Sequence, residues 1–186
     1  MRRWILPALM ITLLLTGCGA RRPERELDDM RKALAAAQEI TLTADVTAIL
    51  ECEEFFCTLA CTATPENVTV EVKAPETIAG IRAVADADGT KLEYEDLSLG
   101  LSGWSEDTAP VSALPLLLNT LRTGNTLRAW NEQEGERKLL VREYYLTDET
   151  AVQVWFDAAD ARPVHAEFLH GGRTALRCEI TEFTYR

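Results

Sequence analysis

Beyond residue 23 the apolar positions of the chain follow two periods. From Glu24 to Gln38, Leu27, Met30, Leu34 and Ala37 recur at helical spacing and Ala33 widens the stripe, which predicts one amphipathic helix. Glu24, Glu26, Asp28 and Asp29 sit in its first turns, where the helix dipole favours anions. At Ile40 the period changes to two. Leu42, Ala44, Val46, Ala48 and Leu50 alternate with Thr41, Thr43, Asp45, Thr47 and Ile49, the pattern of a half-buried strand. Glu53 to Phe56 then reads as a four-residue hairpin loop. With Cys52 facing Cys57, Leu50 pairs with Leu59, Ala48 with Cys61 and Val46 with Ala63, all on one apolar face.

Further strands are expected at Val68 to Lys73, Ile81 to Ala87, Lys91 to Tyr94 and Leu97 to Leu101. Others follow at Thr126 to Asn131, Lys138 to Leu146, Ala151 to Asp157, Val164 to Leu169 and Thr174 to Thr184. Asp88-Gly89, Glu134-Gly135 and Gly171-Gly172 mark tight turns between neighbours, so the strands read as a meander. One segment departs from this. Leu114, Leu117, Leu118 and Leu121 fall at helical spacing between Pro110 and Arg122, with Gly124 placed to cap the end. Proline is tolerated only near a helix start, which sets the expected first residue near Ser112. The expected fold is mainly β, of the α+β class. It is a curved antiparallel sheet of roughly ten strands with two helices over one face.

The amino terminus changes where this domain is expected to reside. Met1-Arg2-Arg3 precedes an apolar run from Trp4 to Thr16, too short for a bilayer-spanning helix but the length of a signal-peptide core. Leu15-Thr16-Gly17-Cys18 then matches the bacterial lipobox. The reading is a signal peptide over 1–17, a lipidated Cys18 with a tether to residue 23, and one domain over 24–186. The anchor is a diacylglyceryl group on Cys18, and two acyl chains hold a protein stably where one is marginal. The expected location is the cell membrane, lipid-anchored, on the extracytoplasmic face.

Charge narrows the partners. The 186 residues hold 30 acids and 19 Lys and Arg, a net charge of −11. Loss of Arg2 and Arg3 with the signal leaves −13. Such a chain repels phosphate backbones and shows no basic patch, which excludes nucleic acid as a partner.

Several stretches carry a family resemblance. They are the lipobox, the acidic helix, the threonine-rich strands, and Val70 to Ile81 with its P-E-x-I-A-G-I turn. Leu92 to Leu97 then precedes a leucine-rich helix, and Trp155-Phe156-Asp157, Arg162-Pro163-Val164 and Glu167 come before the last strand. In this order the chain resembles the LolA/LolB-like superfamily of lipoprotein carriers and receptors, particularly its lipoproteins from single-membrane bacteria. The resemblance covers Leu27 to Tyr185. It implies an unclosed half-barrel whose apolar concave face, covered by helices, holds acyl chains or other hydrophobic ligands. Trp104, Leu114, Leu117, Leu118 and Leu121 are then the candidate ligand-binding residues, although the same stripe serves equally as the core face of its helix.

With Cys18 lipidated, Cys52, Cys57, Cys61 and Cys178 remain as candidate disulfide partners in a permissive compartment, or as buried free thiols. Their spacing is not that of a zinc site, and no metal or cofactor is expected. His165 shares a strand face with Glu167, but no nucleophile motif accompanies it, so His165 reads as a solvated strand residue and no catalytic residue is assigned. Two functions follow. The first is a non-catalytic lipoprotein binding a lipid or other hydrophobic ligand. The alternative is a protein-interaction or envelope-sensor module on the same scaffold, with the Gly100-to-Ala109 loop meeting an envelope protein.

Overall fold

The computed structural model describes residues 22–49, 53–87, 89–94, 97–101 and 110–186. Helix α1 spans Arg22–Ala36 and is followed by β1 (Ile40–Ile49), β2 (Glu54–Ala63), β3 (Val68–Ala74), β4 (Arg82–Asp86), β5 (Gly89–Tyr94) and β6 (Leu97–Leu101). Helix α2 (Pro110–Thr123) leads to β7 (Thr126–Glu134), β8 (Arg137–Tyr145), β9 (Thr150–Asp157), β10 (Pro163–His170) and β11 (Arg173–Tyr185). The strands form one curved, open, antiparallel sheet of eleven, the half-barrel expected from the sequence.

Its strand order is β6-β5-β4-β3-β2-β1-β11-β10-β9-β8-β7, not a single meander. Two meanders are joined through β1 and β11, the first and last strands, which meet at the centre of the sheet. Consecutive strands β6 and β7 therefore occupy opposite edges. The chain between them crosses from one edge to the other, and α2 lies over β1, β2, β3 and β11 as it does so.

Alternation decides what that crossing buries. Ile40, Leu42, Ala44, Val46 and Ala48 of β1 share the concave face with Cys57, Leu59, Cys61 and Ala63 of β2. On the far arm, Val152, Val154 and Phe156 of β9 and Ala166 and Phe168 of β10 complete it. In β11 a bulge opposite Thr43 and Ala44 leaves Thr181 unpaired. The inward set thus changes from Leu176, Cys178 and Ile180 to Phe183, one residue out of phase.

The β1–β2 register differs from expectation by six residues. Val46 opposes Cys57, Ala44 opposes Leu59 and Ile49 opposes Glu54, so Phe55 and Phe56 belong to the strand rather than the loop. A shift of six is even and leaves every apolar residue on its expected face. The face pattern could not distinguish the two pairings.

Helix α2 starts at Pro110 rather than near Ser112, placing Pro115 inside it. Pro115 cannot donate to the Val111 carbonyl four residues back, so one bond of the helical ladder is missing. The loss is tolerated because Ala113, Leu114, Leu117, Leu118 and Leu121 are all buried. The four leucines together contribute about 6–12 kcal/mol of transfer free energy.

Gly124 ends α2, its N–H donating to the Thr120 carbonyl at 2.8 Å. A Cβ at this position would lie 2.5 Å from Thr120 O and 3.0 Å from both Thr120 Cγ2 and Tyr144 Cδ1. Crowding against backbone and a buried ring imposes the glycine. Gly124→Ala is expected to destabilise the protein by ~1–3 kcal/mol, read as a lower urea midpoint at unchanged slope.

Candidate functional site

The sheet is filled unevenly. Along one side of α2, Leu114, Leu117, Leu118 and Leu121 pack into the core against β1, β2 and β11. Under its N-terminal half the strands are short and carry small side chains. There Val111, Ser112, Pro115 and Leu116 face Val68 and Val70 of β3, Ala83 and Ala85 of β4 and Thr90 of β5 across an apolar groove of about 120 Å³. Ile78, Ile81 and Leu92 are only partly buried nearby. Ile78 and Ile81 come from the P-E-x-I-A-G-I stretch, which joins β3 to β4 through Gly80 N–H donating to Val72 O and Val72 N–H donating to Ile81 O, both at 2.9 Å.

Of the expected ligand-binding residues, the four leucines lie together in the core, and the groove is lined by the adjacent residues of the same helix. Val111 and Leu116 each follow a proline, a signal the leucine stripe did not include. Trp104, Cys18, the expected site of lipidation, and Cys52 lie outside the described residues, as do residues 102–109 of the expected Gly100-to-Ala109 loop.

The two helices are fastened at the other end of the groove's lid. Arg31 of α1 donates from Nη2 to the carbonyl of Gly124 at 2.7 Å, placing a cation at the C-terminal end of α2, where the dipole favours it. The same guanidinium lies 6.0 Å from the centroid of the Tyr144 ring. Beside it Arg142, also nearly buried, donates to Val141 O at 3.0 Å and lies 3.5 Å from Glu24. The Tyr144 hydroxyl is buried among these groups with no partner among the described residues. Burial raises its pKa, against the opposing pull of Arg31 and Arg142.

Cys57, Cys61 and Cys178 are buried free thiols. Cys57 and Cys178 both oppose Val46, so two strand spacings, about 9–10 Å, separate them. A disulfide spans at most about 7 Å between Cα atoms. Cys61 opposes Leu42, four residues farther along β1, and is more distant still from Cys178. Burial pushes Cys57 up to about 11, with Asp45 adding to the shift, and Cys61 up to about 12. Cys178 also rises to about 12, through burial first and then Cys57 and Glu179.

His165 is not the solvated residue expected. On the face opposite the core its Nδ1 lies 2.9 Å from Glu179 Oε1 and its Nε2 3.4 Å from Glu167 Oε1, with its side chain 19% exposed. Its ring also meets Trp155 edge-on, with centroids 4.8 Å apart. Glu167 in turn accepts from Thr174 Oγ1 at 2.9 Å and Arg177 Nε at 3.2 Å. Burial alone would raise the Glu167 pKa, but the bonds from Thr174, Arg177 and His165 outweigh it and hold the carboxyl below its ordinary value. These partners come from β10 and β11, so only the Glu167–His165 spacing was readable along the chain.

No protein-family model matches the sequence, and no curated protein matches it. Among solved structures, the fold is similar to a DUF1329 family protein from Desulfovibrio piger. The TM-score is 0.52 at 8% identity, over 88% of this chain and 93% of that one. A putative outer membrane lipoprotein-sorting protein domain from Vibrio parahaemolyticus follows at TM-score 0.48 and 13% identity, covering 88% of this chain and 93% of that chain. The LolA superfamily protein NE2245 from Nitrosomonas europaea has TM-score 0.42 and 12% identity, over 89% and 94% of the two chains. At such identities the likeness is one of fold.

Two outcomes follow from the titrating groups. At pH 8 the raised thiols are almost wholly protonated, so an aromatic disulfide reagent should label Cys57, Cys61 and Cys178 only on unfolding, as read by peptide mass mapping. Rapid labelling of the native protein at any of the three contradicts this. The depressed Glu167 stabilises the native state above the unfolded carboxylate value, near 4.5, and that contribution is lost as pH falls through the lowered folded value. Glu167→Gln should therefore cost ~1–2 kcal/mol at pH 7. The gap to wild type should close below the unfolded value in urea titrations run down the pH scale.

Proposed function

We propose that this chain is an exported lipoprotein, anchored through a diacylglyceryl group on Cys18 at the extracytoplasmic face of the cell membrane. There it binds a lipid or other hydrophobic ligand without catalysing a reaction. Residues 1–17 are its signal peptide, 18–23 its tether and 24–186 its binding domain.

The observation that carries this reading is the apolar groove between the N-terminal half of α2 and strands β3 to β5. A water molecule's share of liquid volume is about 30 Å³, so the groove's roughly 120 Å³ accommodates only a short length of acyl chain. A longer chain enters by lifting the first turn of α2, with Val111 and Ser112, off β3–β5. Pro115 has already removed a helical bond there, whereas Arg31 and the leucine core hold the rest of the helix in place. The groove is apolar, and its small residues Ala83, Ala85 and Ser112 leave the space that a chain would fill.

The test is native mass spectrometry of the full lipoprotein, released from micelles before and after solvent extraction. The expected result is an extractable adduct beyond the anchor, reduced in Ala85→Phe, which fills the groove, and retained in a surface variant such as Lys32→Ala. A clean mass that stays unchanged after incubation with membrane lipids overturns the carrier reading. It would favour the alternative, a module that binds an envelope protein.

A further inference from the structure

On the sheet face opposite the core, a trough of about 480 Å³ lies between the β7–β8 hairpin and strands β9 to β11. It shares no lining residue with the groove under α2. One side is apolar, formed by Trp155, Leu139 and Val164. The other carries the polar side chains of Glu134, Arg137, His165 and Glu179.

The apolar wall is fixed in advance. Glu132 accepts from the indole of Trp130 at 2.6 Å and from that of Trp155 at 2.8 Å, one with each carboxylate oxygen. Trp130 and Glu132 belong to β7 and Trp155 to β9, so the clasp passes over β8 between them. That is why β8 is buried on both faces, with Leu139 and Val141 closed off on this side. His165 braces the far edge of Trp155 and is itself held by Glu179, while Arg137 is steadied by Asp157 at 2.8 Å. A binding wall whose rotamers are already locked loses little entropy when a ligand arrives.

We propose that this trough is a binding site for a neutral pyranose sugar. The ring's apolar C–H face would lie against Trp155, Leu139 and Val164, and its hydroxyls would meet Glu134, Arg137, His165 and Glu179. The size suits a small-molecule site, which occupies about 300–1,000 Å³. Other ligand classes fit less well. An acyl chain would strip water from four polar side chains and pair none of them. A compact anion meets Glu132, Glu134 and Glu179 against the single guanidinium of Arg137. A bare ammonium group would leave the apolar wall and the donors of Arg137 and His165 unused. A polyol both donates and accepts, and presents an apolar face as well.

The experiment titrates the full lipoprotein, in a zwitterionic detergent free of sugar headgroups, with neutral trisaccharides built of glucose, mannose or N-acetylglucosamine. Tryptophan fluorescence and saturation-transfer NMR report binding. The expected result is saturable binding of at least one trisaccharide. It should be weakened about tenfold by Glu134→Ala, at a position exposed and outside the indole clasp, and unaffected by Ala85→Phe in the groove. Trp155→Leu should abolish it, with circular dichroism confirming the fold. The proposal is overturned if no trisaccharide binds saturably, or if binding survives unchanged in Glu134→Ala. Failure here leaves the reading of the groove standing, because the two sites lie on opposite faces.

Discussion

The pairing of β1 with β11 is the constraint on which the rest of the molecule depends. It joins residues at opposite ends of the domain, Ile40 with Tyr185 and Ala48 with Leu176, and it lies at the middle of the sheet. Closing so long a loop costs entropy that grows only slowly with length, but all of it precedes the contacts that offset it. The central pair answers with side chains. Ile40, Leu42, Ala44, Val46 and Ala48 are buried along one face of β1, and Leu176, Cys178, Ile180 and Phe183 pack beside them.

Once β1 and β11 occupy the centre, each meander has a free edge, and consecutive strands β6 and β7 lie at opposite ends of the sheet. The connection must travel back across a face. The apolar stripe of α2 directs it across the concave one, closing the half-barrel with a helix rather than with strand pairing. Helix α2 packs its leucine stripe over the large residues of the central strands. Its N-terminal half meets the valines and alanines of β3 and β4, and the groove is the consequence. The opposite arm carries its opening on the other face, where the indole clasp over β8 forms the wall of the trough. One chain thus carries an apolar groove within the sheet and a polar, aromatic trough behind it.

Particular residues show where sequence reading succeeds and where it stops. The bulge at Thr181 is visible in retrospect, since Thr181 and Glu182 interrupt an alternation that resumes out of phase at Phe183. Helix α2 starts at Pro110 rather than near Ser112 because the packing of its leucines outweighs the local cost of Pro115 in its interior. His165 and Glu179 are fourteen positions apart and gave no signal of belonging together, and the same holds for Trp155 and Glu132.

What the chain determines by itself is each residue's face and each segment's period. Side chains alternate every second residue in a strand and recur every 3.6 in a helix, so local order alone assigns the concave and outer sets. The leucines of α2, the even positions of β1 and the pairing of His165 with Glu167 on one side of β10 all follow from that. Tertiary structure decided the rest. An even shift of register leaves faces unchanged, so only the packed sheet could choose Val46 opposite Cys57 over its alternative. The meeting of β1 with β11, the groove beside the leucines and the indoles gathered on Glu132 join distant segments, and no local pattern carries the energy of a contact that exists only after folding.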